Sequence, residues 1–316
     1  VTRNKNSAAR FNTIALMGNP QDRRTLDSMQ VLTAHLLAAG RKVQASESLR
    51  ARALPRQVRR VPDEKIAQRA DLVIAIGGDG SMLYAARRIA GRKTPLLGIN
   101  RGRLGFLADV GPEQMLARVD EVLAGKYVSE QRMLLLVDLR HGDDIVASGT
   151  ALNDVVVKRH ATGRMCEYQT FVDGRYVNTH LGDGFIVSTP TGSTAYALSC
   201  GGPIVEPSLD ALLLIPICPH TLSDRPLVIP ATRVAEVRLR AAQSEHADVS
   251  CDGEPVGQLA PGWSIQVRAA RERIELIHPV GYDYFAILRS KLLWGRDARD
   301  SNLAQHPQRQ MVASAA

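Results

Sequence analysis

Residues 71–83 read DLVIAIGGDGSML. An apolar run, Leu72-Val73-Ile74-Ala75-Ile76, stops at Gly77-Gly78-Asp79-Gly80, and a helical pattern begins at once. A short apolar run closed by glycine reads as a buried strand. Working outward, "TIALMGNP" (13–20) predicts an earlier buried strand closed by a Gly-Asn-Pro turn. Leu26, Met29, Leu32, Leu36 and Leu37 then follow near helical spacing, with Gly40 as the stop. "RKVQAS" is a weak strand, "TPLLGIN" a further one, and "GPEQMLARVDEVLAGKY" an amphipathic helix. Strands alternating with helices imply an α/β domain with a doubly wound parallel sheet.

The pattern changes near residue 133. "LLLVDLRHGDDIVASGTALNDVVVKR" predicts strands around a His-Gly-Asp-Asp turn, and "EYQTFVDGRYVNTH" a hairpin around Asp173-Gly174. "VAEVRLRAA", "ADVSCDGEPV", "WSIQVRAA" and "RIELIHP" add short strands, so this half is mainly antiparallel β. The expected division is an α/β domain at 11–132, a β-rich domain at 133–281, and a helix at 282–295 returning to the first domain. Residues 1–10 and 296–316 are expected to be flexible tails.

The 316-residue chain carries a net charge of +8 and is 45% hydrophobic, an ordinary soluble composition. It has no apolar run near the ~20 residues of a membrane span and no signal-peptide core at the start, so a cytoplasmic protein is expected. Cys166, Cys200, Cys218 and Cys251 form no CxxC pair and read as free thiols. The stretch 41–60 holds seven basic side chains and one acid. It is a solvated face or a site for a polyanion. Aromatics are absent between residues 12 and 83, and no helix-turn-helix or zinc finger is evident, so nucleic acid is not the expected partner.

Ligands of doubly wound sheets bind beyond the C-terminal strand ends, where residues 77–80 fall. Gly77, Gly78 and Gly80 permit close backbone approach, and their N–H groups with the helix N-terminus suit phosphate oxygens. A carboxylate there repels phosphate, so Asp79 needs another task. It holds a magnesium ion, takes a proton from an attacking hydroxyl, or caps its own helix. A second glycine run, "LGINRGRLGFLADV" (97–110), is a plain connecting loop or brings Arg101 and Arg103 to phosphate. No G-x-x-x-x-G-K-[ST] occurs, and no G-x-G-x-x-G follows the first strand, which excludes the common nucleotide-binding loops. "LGDGFIVSTPTGSTAYALSCGGPIV" (181–205) is dense in hydroxyls suited to ribose and phosphate. His180, His220 and His278 lack ligand spacing and read as structural or hydrogen-bonding residues.

These motifs together resemble the NAD kinases. The resemblance rests on Gly77-Gly78-Asp79-Gly80, "LGINRGRLGFL", Asn153-Asp154, Asp183-Gly184 followed by "STPTGSTAY", "GGPIVEPSLDALLLIPICPHTLSDRPLVI" and "IHPVGYDYF". It implies phosphorylation of NAD at the adenosine 2′-hydroxyl to give NADP, with ATP or inorganic polyphosphate as donor and a divalent metal, Mg2+, as cofactor. It implies that Asp79 is the base, with Gly80 beside it against the nucleotide. Asn153 and Asp154 would bind the dinucleotide, as would Asp183 and the segment Thr194, Ala195, Tyr196, Ala197, Leu198 and Ser199. Arg164 falls at a further ligand position by spacing. Family members often carry Arg where this chain has Leu181, which leaves that phosphate contact open. Relatives are homo-oligomers, often tetramers, with the site shared between subunits.

Overall fold

The computed structural model describes residues 2–3, 11–47, 54–102, 105–160, 165–240 and 246–294. Arg103, Arg164, Arg50 and Arg52 lie outside these residues. The first half contains β1 (Thr2–Arg3), β2 (Thr13–Gly18), α1 (Arg23–Ala38), β3 (Lys42–Ser46), β4 (Arg59–Val61), β5 (Leu72–Gly77), α2 (Asp79–Ile89), β6 (Leu96–Asn100) and α3 (Met115–Leu123). α1 starts where the Asp22 side chain accepts from the Arg24 amide, and ends before Gly40, whose φ of 71° suits the left-handed stop. β4, β3, β2, β5 and β6 lie side by side in that order, all parallel.

Alternation along the strands builds a core on each face. Ile14, Leu16, Leu72, Ile74 and Ile76 join Met29, Leu32 and Leu36 of α1 and Val119 and Val122 of α3. Ala15, Met17, Val73 and Ala75 join Met82, Ala85 and Ile89 of α2 on the other. The chain winds from β2 toward β4 on one side, then resumes at β5 on the other. The switch point therefore falls between β2 and β5, whose C-terminal ends are Gly18 and Gly77.

The second half contributes β7 (Tyr127–His141), β8 (Asp144–Ala151), β9 (Asp154–Arg159), β10 (Cys166–Val172), β11 (Arg175–Gly182), β12 (Gly184–Ser188), α4 (Tyr196–Ser199), β13 (Ala211–Ile217), β14 (Leu227–Pro230), β15 (Ala235–Leu239), β16 (Ala247–Cys251), β17 (Glu254–Leu259) and β18 (Ser264–Pro279). The β10–β11 hairpin turns at Asp173-Gly174, both at positive φ, as the sequence predicts. Two expected short strands, "WSIQVRAA" and "RIELIHP", are one strand. β18 runs 16 residues, with a register shift against β7 between Ala269 and Arg273. The polar Arg271-Glu272-Arg273 run looks like a break in the sequence, and the bulge absorbs it.

β18 joins the halves. It pairs antiparallel with β7 over most of its length, with β15 near its start, and parallel with β6 through Leu276 and Ile277. The parallel strands thus continue into an antiparallel extension. A second, six-stranded antiparallel sheet, β14-β13-β12-β9-β16-β17, packs against that extension. Tyr168, Phe185, Val187, Leu214, Val237, Val249 and Ile265 are among the side chains between the two layers. From Val280 the chain forms a second unit, containing α5 (Tyr284–Leu292), whose Asp283 cap accepts from the Phe285 and Ala286 amides. No helix among the described residues is long and apolar enough to cross a membrane.

Gly98 of β6 makes room for the second glycine run. A Cβ there would lie 2.8 Å from Ala108 Cα and 2.8 Å from Met82 Sδ. We expect Gly98→Ala to lower the unfolding free energy by about 1–3 kcal/mol, because a backbone atom must move. Gly111→Ala, in open space at φ −72°, should be neutral or stabilise by up to about 1 kcal/mol. Urea unfolding of both variants checks the contrast.

Candidate active site

β5 delivers the chain to the first glycine turn at the switch point. Gly77 has φ +147°, and a Cβ there would meet Ser81 Oγ at 2.1 Å, so the turn requires glycine. Gly78 caps α2 and is exposed, as is Gly80. Asp79 does not cap its own helix. Its carboxylate reaches the adjacent loop, with Oδ2 accepting from the Phe106 amide at 2.8 Å. Oδ1 accepts from Leu107 at 3.0 Å and Ala108 at 3.3 Å. Gly105 permits this approach, since its Cβ would fall 1.8 Å from Oδ1. The Arg101 amide donates to Gly77 O, and the Arg101 Nε donates to Arg24 O, so this side chain is tied to α1. The two glycine turns are adjacent because Gly77 and Asn100 are register partners.

The second part of the site is assembled around an acid that sequence reasoning missed. Asp252 sits at φ +50° in the β16–β17 turn, its side chain fully buried. It accepts from the amides of Leu152, Asn153 and Asp154 at 2.8, 2.8 and 3.2 Å, and Arg87 Nη1 of α2 lies 3.5 Å away. α2, which begins at Asp79, is thereby tied to the strand pair that carries Asn153 and Asp154. The Asp-Gly pair at 252–253 signals a hairpin turn, but nothing in the sequence says that its carboxylate points inward.

Asp154 is buried and faces this second acid. Burial first, and the Asp252 charge second, push its carboxyl up to about 7. Asn153 is also buried, and its Oδ1 has no hydrogen-bond partner among the described residues. Its carbonyl accepts from the Thr189 amide and Ser188 Oγ, with Gly192 packed so closely that a Cβ would lie 2.3 Å from that oxygen.

The hydroxyl-rich turn spends most of its hydroxyls on itself. Thr189 Oγ1 donates to Leu152 O and accepts from the Gly192 amide. Ser193 Oγ donates to Pro190 O and accepts from the Val205 amide, and Thr194 Oγ1 donates to Thr191 O. What remains accessible is the following segment. Tyr196 and Ser199 are exposed, and Thr194, Ala195 and Leu198 are half-buried, whereas the Ala197 side chain is buried in an apolar cluster. Burial, then nearby Cys200, Cys218, Asp183 and Asp154, raise the Tyr196 phenol. The phenol is thus within electrostatic reach of both acids. Asp183 pairs with Arg159 Nε at 2.8 Å. His180 does not replace the expected arginine at 181, because it is buried with Nδ1 3.0 Å from Asp224. His278 is buried too, as a hydrogen-bonding residue, with Nδ1 3.0 Å from Asp109 Oδ2.

No group of three or more His, Cys, Asp or Glu side chains among the described residues could hold a metal ion. A magnesium ion that enters on donor phosphates needs no such cage, since Mg2+ is usually bound through one or two carboxylates, phosphates and water.

Comparison with known proteins accords with this geometry. Residues 14–127 match the ATP-NAD kinase N-terminal domain, and residues 152–279 match the ATP-NAD kinase C-terminal domain. The NAD kinase of Nitrosococcus oceani is 42% identical over 286 residues, covering 90% of this chain and 98% of its own. That of Halorhodospira halophila is 43% identical over 289 residues, covering 90% and 94%. The yeast NADH kinase, solved in complex with NADH, shares the fold with a TM-score of 0.85 at 24% identity, covering 92% of this chain and 90% of that one. An NAD kinase from Archaeoglobus fulgidus, in complex with ATP, superposes with a TM-score of 0.70 at 26% identity, covering 89% and 98%. The chain belongs to the ATP-NAD kinase family.

Proposed function

We propose that this protein transfers a phosphoryl group to the 2′-hydroxyl of the adenosine ribose of NAD, giving NADP, with Asp79 as the base. The observation that carries the assignment is the setting of that carboxylate. It stands at the switch point between exposed Gly78 and Gly80, and Oδ2 accepts only one of the three amide bonds. A carboxylate oxygen has two lone pairs, so Oδ2 keeps one for a sugar hydroxyl. As the hydroxyl oxygen bonds to phosphorus and the bond to the leaving phosphate breaks, its proton passes to Oδ2. The first amides of α2 lack intrahelical acceptors and suit the phosphate oxygens, as does the backbone of the glycine turn.

Asn153, Asp154, Asp183 and the segment from Thr194 to Ser199 take the dinucleotide. The unpartnered Asn153 Oδ1 supports this, as does the convergence of Tyr196 with Asp154 and Asp183. The donor is ATP, or polyphosphate, brought in with Mg2+. The protein acts in the cytoplasm, consistent with the four cysteines being free. It acts as a homo-oligomer, a tetramer. Supporting this, Tyr176 and Val177 on the edge strand β11, Leu227 and Val228 on the edge strand β14, and Leu222 in the loop before it are exposed.

Purified protein given NAD, magnesium and either ATP or polyphosphate should form NADP, followed with an NADP-specific dehydrogenase; no product with either donor rejects the reading. Asp79→Asn should bind NAD with little change while turnover falls by about 10²- to 10⁴-fold; near-normal turnover removes Asp79 as the base. Light scattering should give a tetramer mass, and Val228→Lys should lower it if β14 lies in a subunit interface.

Asp154 makes a second, ligand-free test. Its carboxyl titrates near 3.8 when unfolded and about 7 when folded. The folded form retains a proton that the unfolded form has lost, so stability falls as pH rises from 3.8 to about 7 and is flat above. Asp154→Asn escapes this loss. In urea unfolding its advantage over the parent should be on the order of a few kcal/mol larger at pH 8 than at pH 4. An advantage independent of pH would mean that Asp154 is charged in the folded protein.

A further inference from the structure

A chain of buried charged groups runs beneath the two glycine turns and ends on the hydroxyl-rich turn. Asp109 follows Ala108, the last of the three residues whose amides hold Asp79. Asp109 Oδ2 lies 3.0 Å from His278 Nδ1 on β18, and His278 Nε2 lies 3.5 Å from Glu130 Oε2 on β7. Glu130 Oε2 accepts from Arg132 Nε at 3.1 Å, and Arg132 Nη1 donates to Thr191 Oγ1 at 3.3 Å. Thr191 opens the turn that leads to Thr194 and Tyr196. His278 is 1% exposed and Arg132 2%.

Burial favours neutral forms here, yet the contacts favour charged ones. Burial alone would raise Glu130, but the contact with His278 and the Arg132 charge hold it at about 2. Burial alone would lower His278, but Asp109 and Glu130 raise it. Acidic and basic side chains thus alternate in the interior. Such a row contributes little net stability compared with apolar side chains of similar volume. What it supplies is a fixed separation between the backbone segments at its ends, and those segments hold the proposed base and the proposed dinucleotide contacts.

We propose that His278 is a positioning residue for phosphoryl transfer: through Asp109 it locks the 105–108 loop whose amides orient Asp79, and through Glu130 and Arg132 it sets that loop against the Thr191 turn. This rests on the reading of Asp79 as the base. Loss of the lock lets the carboxylate wander relative to the sugar hydroxyl, and misplacement by about 1 Å is enough to cost about 10²-fold in rate.

The test compares the parent protein with His278→Gln and Asp109→Asn. Each variant should lower kcat about 10- to 100-fold with the KM for NAD within about threefold. In hydrogen exchange, the peptide covering 101–110 should lose protection while one covering β13 keeps it. Asp109→Asn leaves the His278–Glu130–Arg132 row in place and carries the comparison if His278→Gln fails to fold. Unchanged kcat overturns the proposal, as does a fall in kcat with protection at 101–110 intact. Loss of protection in β13 as well assigns a merely structural role and also overturns it. Absence of NADP formation by the parent would sink the functional reading instead, and the exchange comparison would still report whether the lock exists.

Discussion

The grip of three backbone amides on the Asp79 carboxylate is the constraint around which the site is arranged. It requires a second loop within hydrogen-bond reach of the first, and parallel neighbours β5 and β6 supply it, because both chains leave the sheet at the same end. It also requires empty volume. Gly105 has no Cβ to strike the carboxylate, and Gly98 has none to strike Ala108. A side chain at either position would separate the loop from the acid. The glycines of the second run therefore keep the 105–108 backbone against the Asp79 carboxylate.

The second half is fastened to this arrangement by charge as well as by strand pairing. β18 carries the sheet from one half to the other, but its parallel contact with β6 is only Leu276 and Ile277. Arg87 on α2 and Asp252 in the β16–β17 turn add a link close to the site. Asp252 also receives three amides, so a single buried acid organises the backbone at 152–154 and anchors the helix that begins with Asp79. Asp154 bears the consequence, because an acid buried beside another acid retains its proton to higher pH.

Much of the architecture was legible in the sequence, because it depends on local rules. The unbroken apolar run Leu72–Ile76, the glycine stop at 77, and the Asp173-Gly174 turn are short-range signals, and each predicted its element. The antiparallel half was recognisable, but its longest strand read as two because a bulge and a bend share polar residues at Arg271-Glu272-Arg273. The site was legible as a set of motifs and not as a network. Asp252 looks like any hairpin turn residue, and Asp109, Glu130 and His278 are far apart in sequence. Only the pairing of β18 with β7 and β6 brings them together. The hydroxyl-rich turn differs in another way. Its composition suggests ligand contacts throughout, whereas Thr189 and Ser193 are fully buried, with their hydroxyls on Leu152 O and Pro190 O.

That last difference changes how recognition divides across the site. On the proposed reading, with these hydroxyls committed to the fold, the second half offers a ligand chiefly Asn153, Asp154, Asp183 and the Tyr196 phenol. Carboxyl and amide oxygens accept from hydroxyl and amino donors, so this end suits sugar and base edges. The amides of the glycine turn and the start of α2, at the other end, suit phosphate oxygens. On the proposed reading, the ribose hydroxyl that reacts must lie where the two ends meet, between a region rich in hydrogen-bond acceptors and one that gathers phosphate. A base placed there meets the nucleophile and the incoming phosphorus together. The same separation disfavours a dinucleotide bound in reverse, because its pyrophosphate would then lie away from the amides of the glycine turn and of the start of α2.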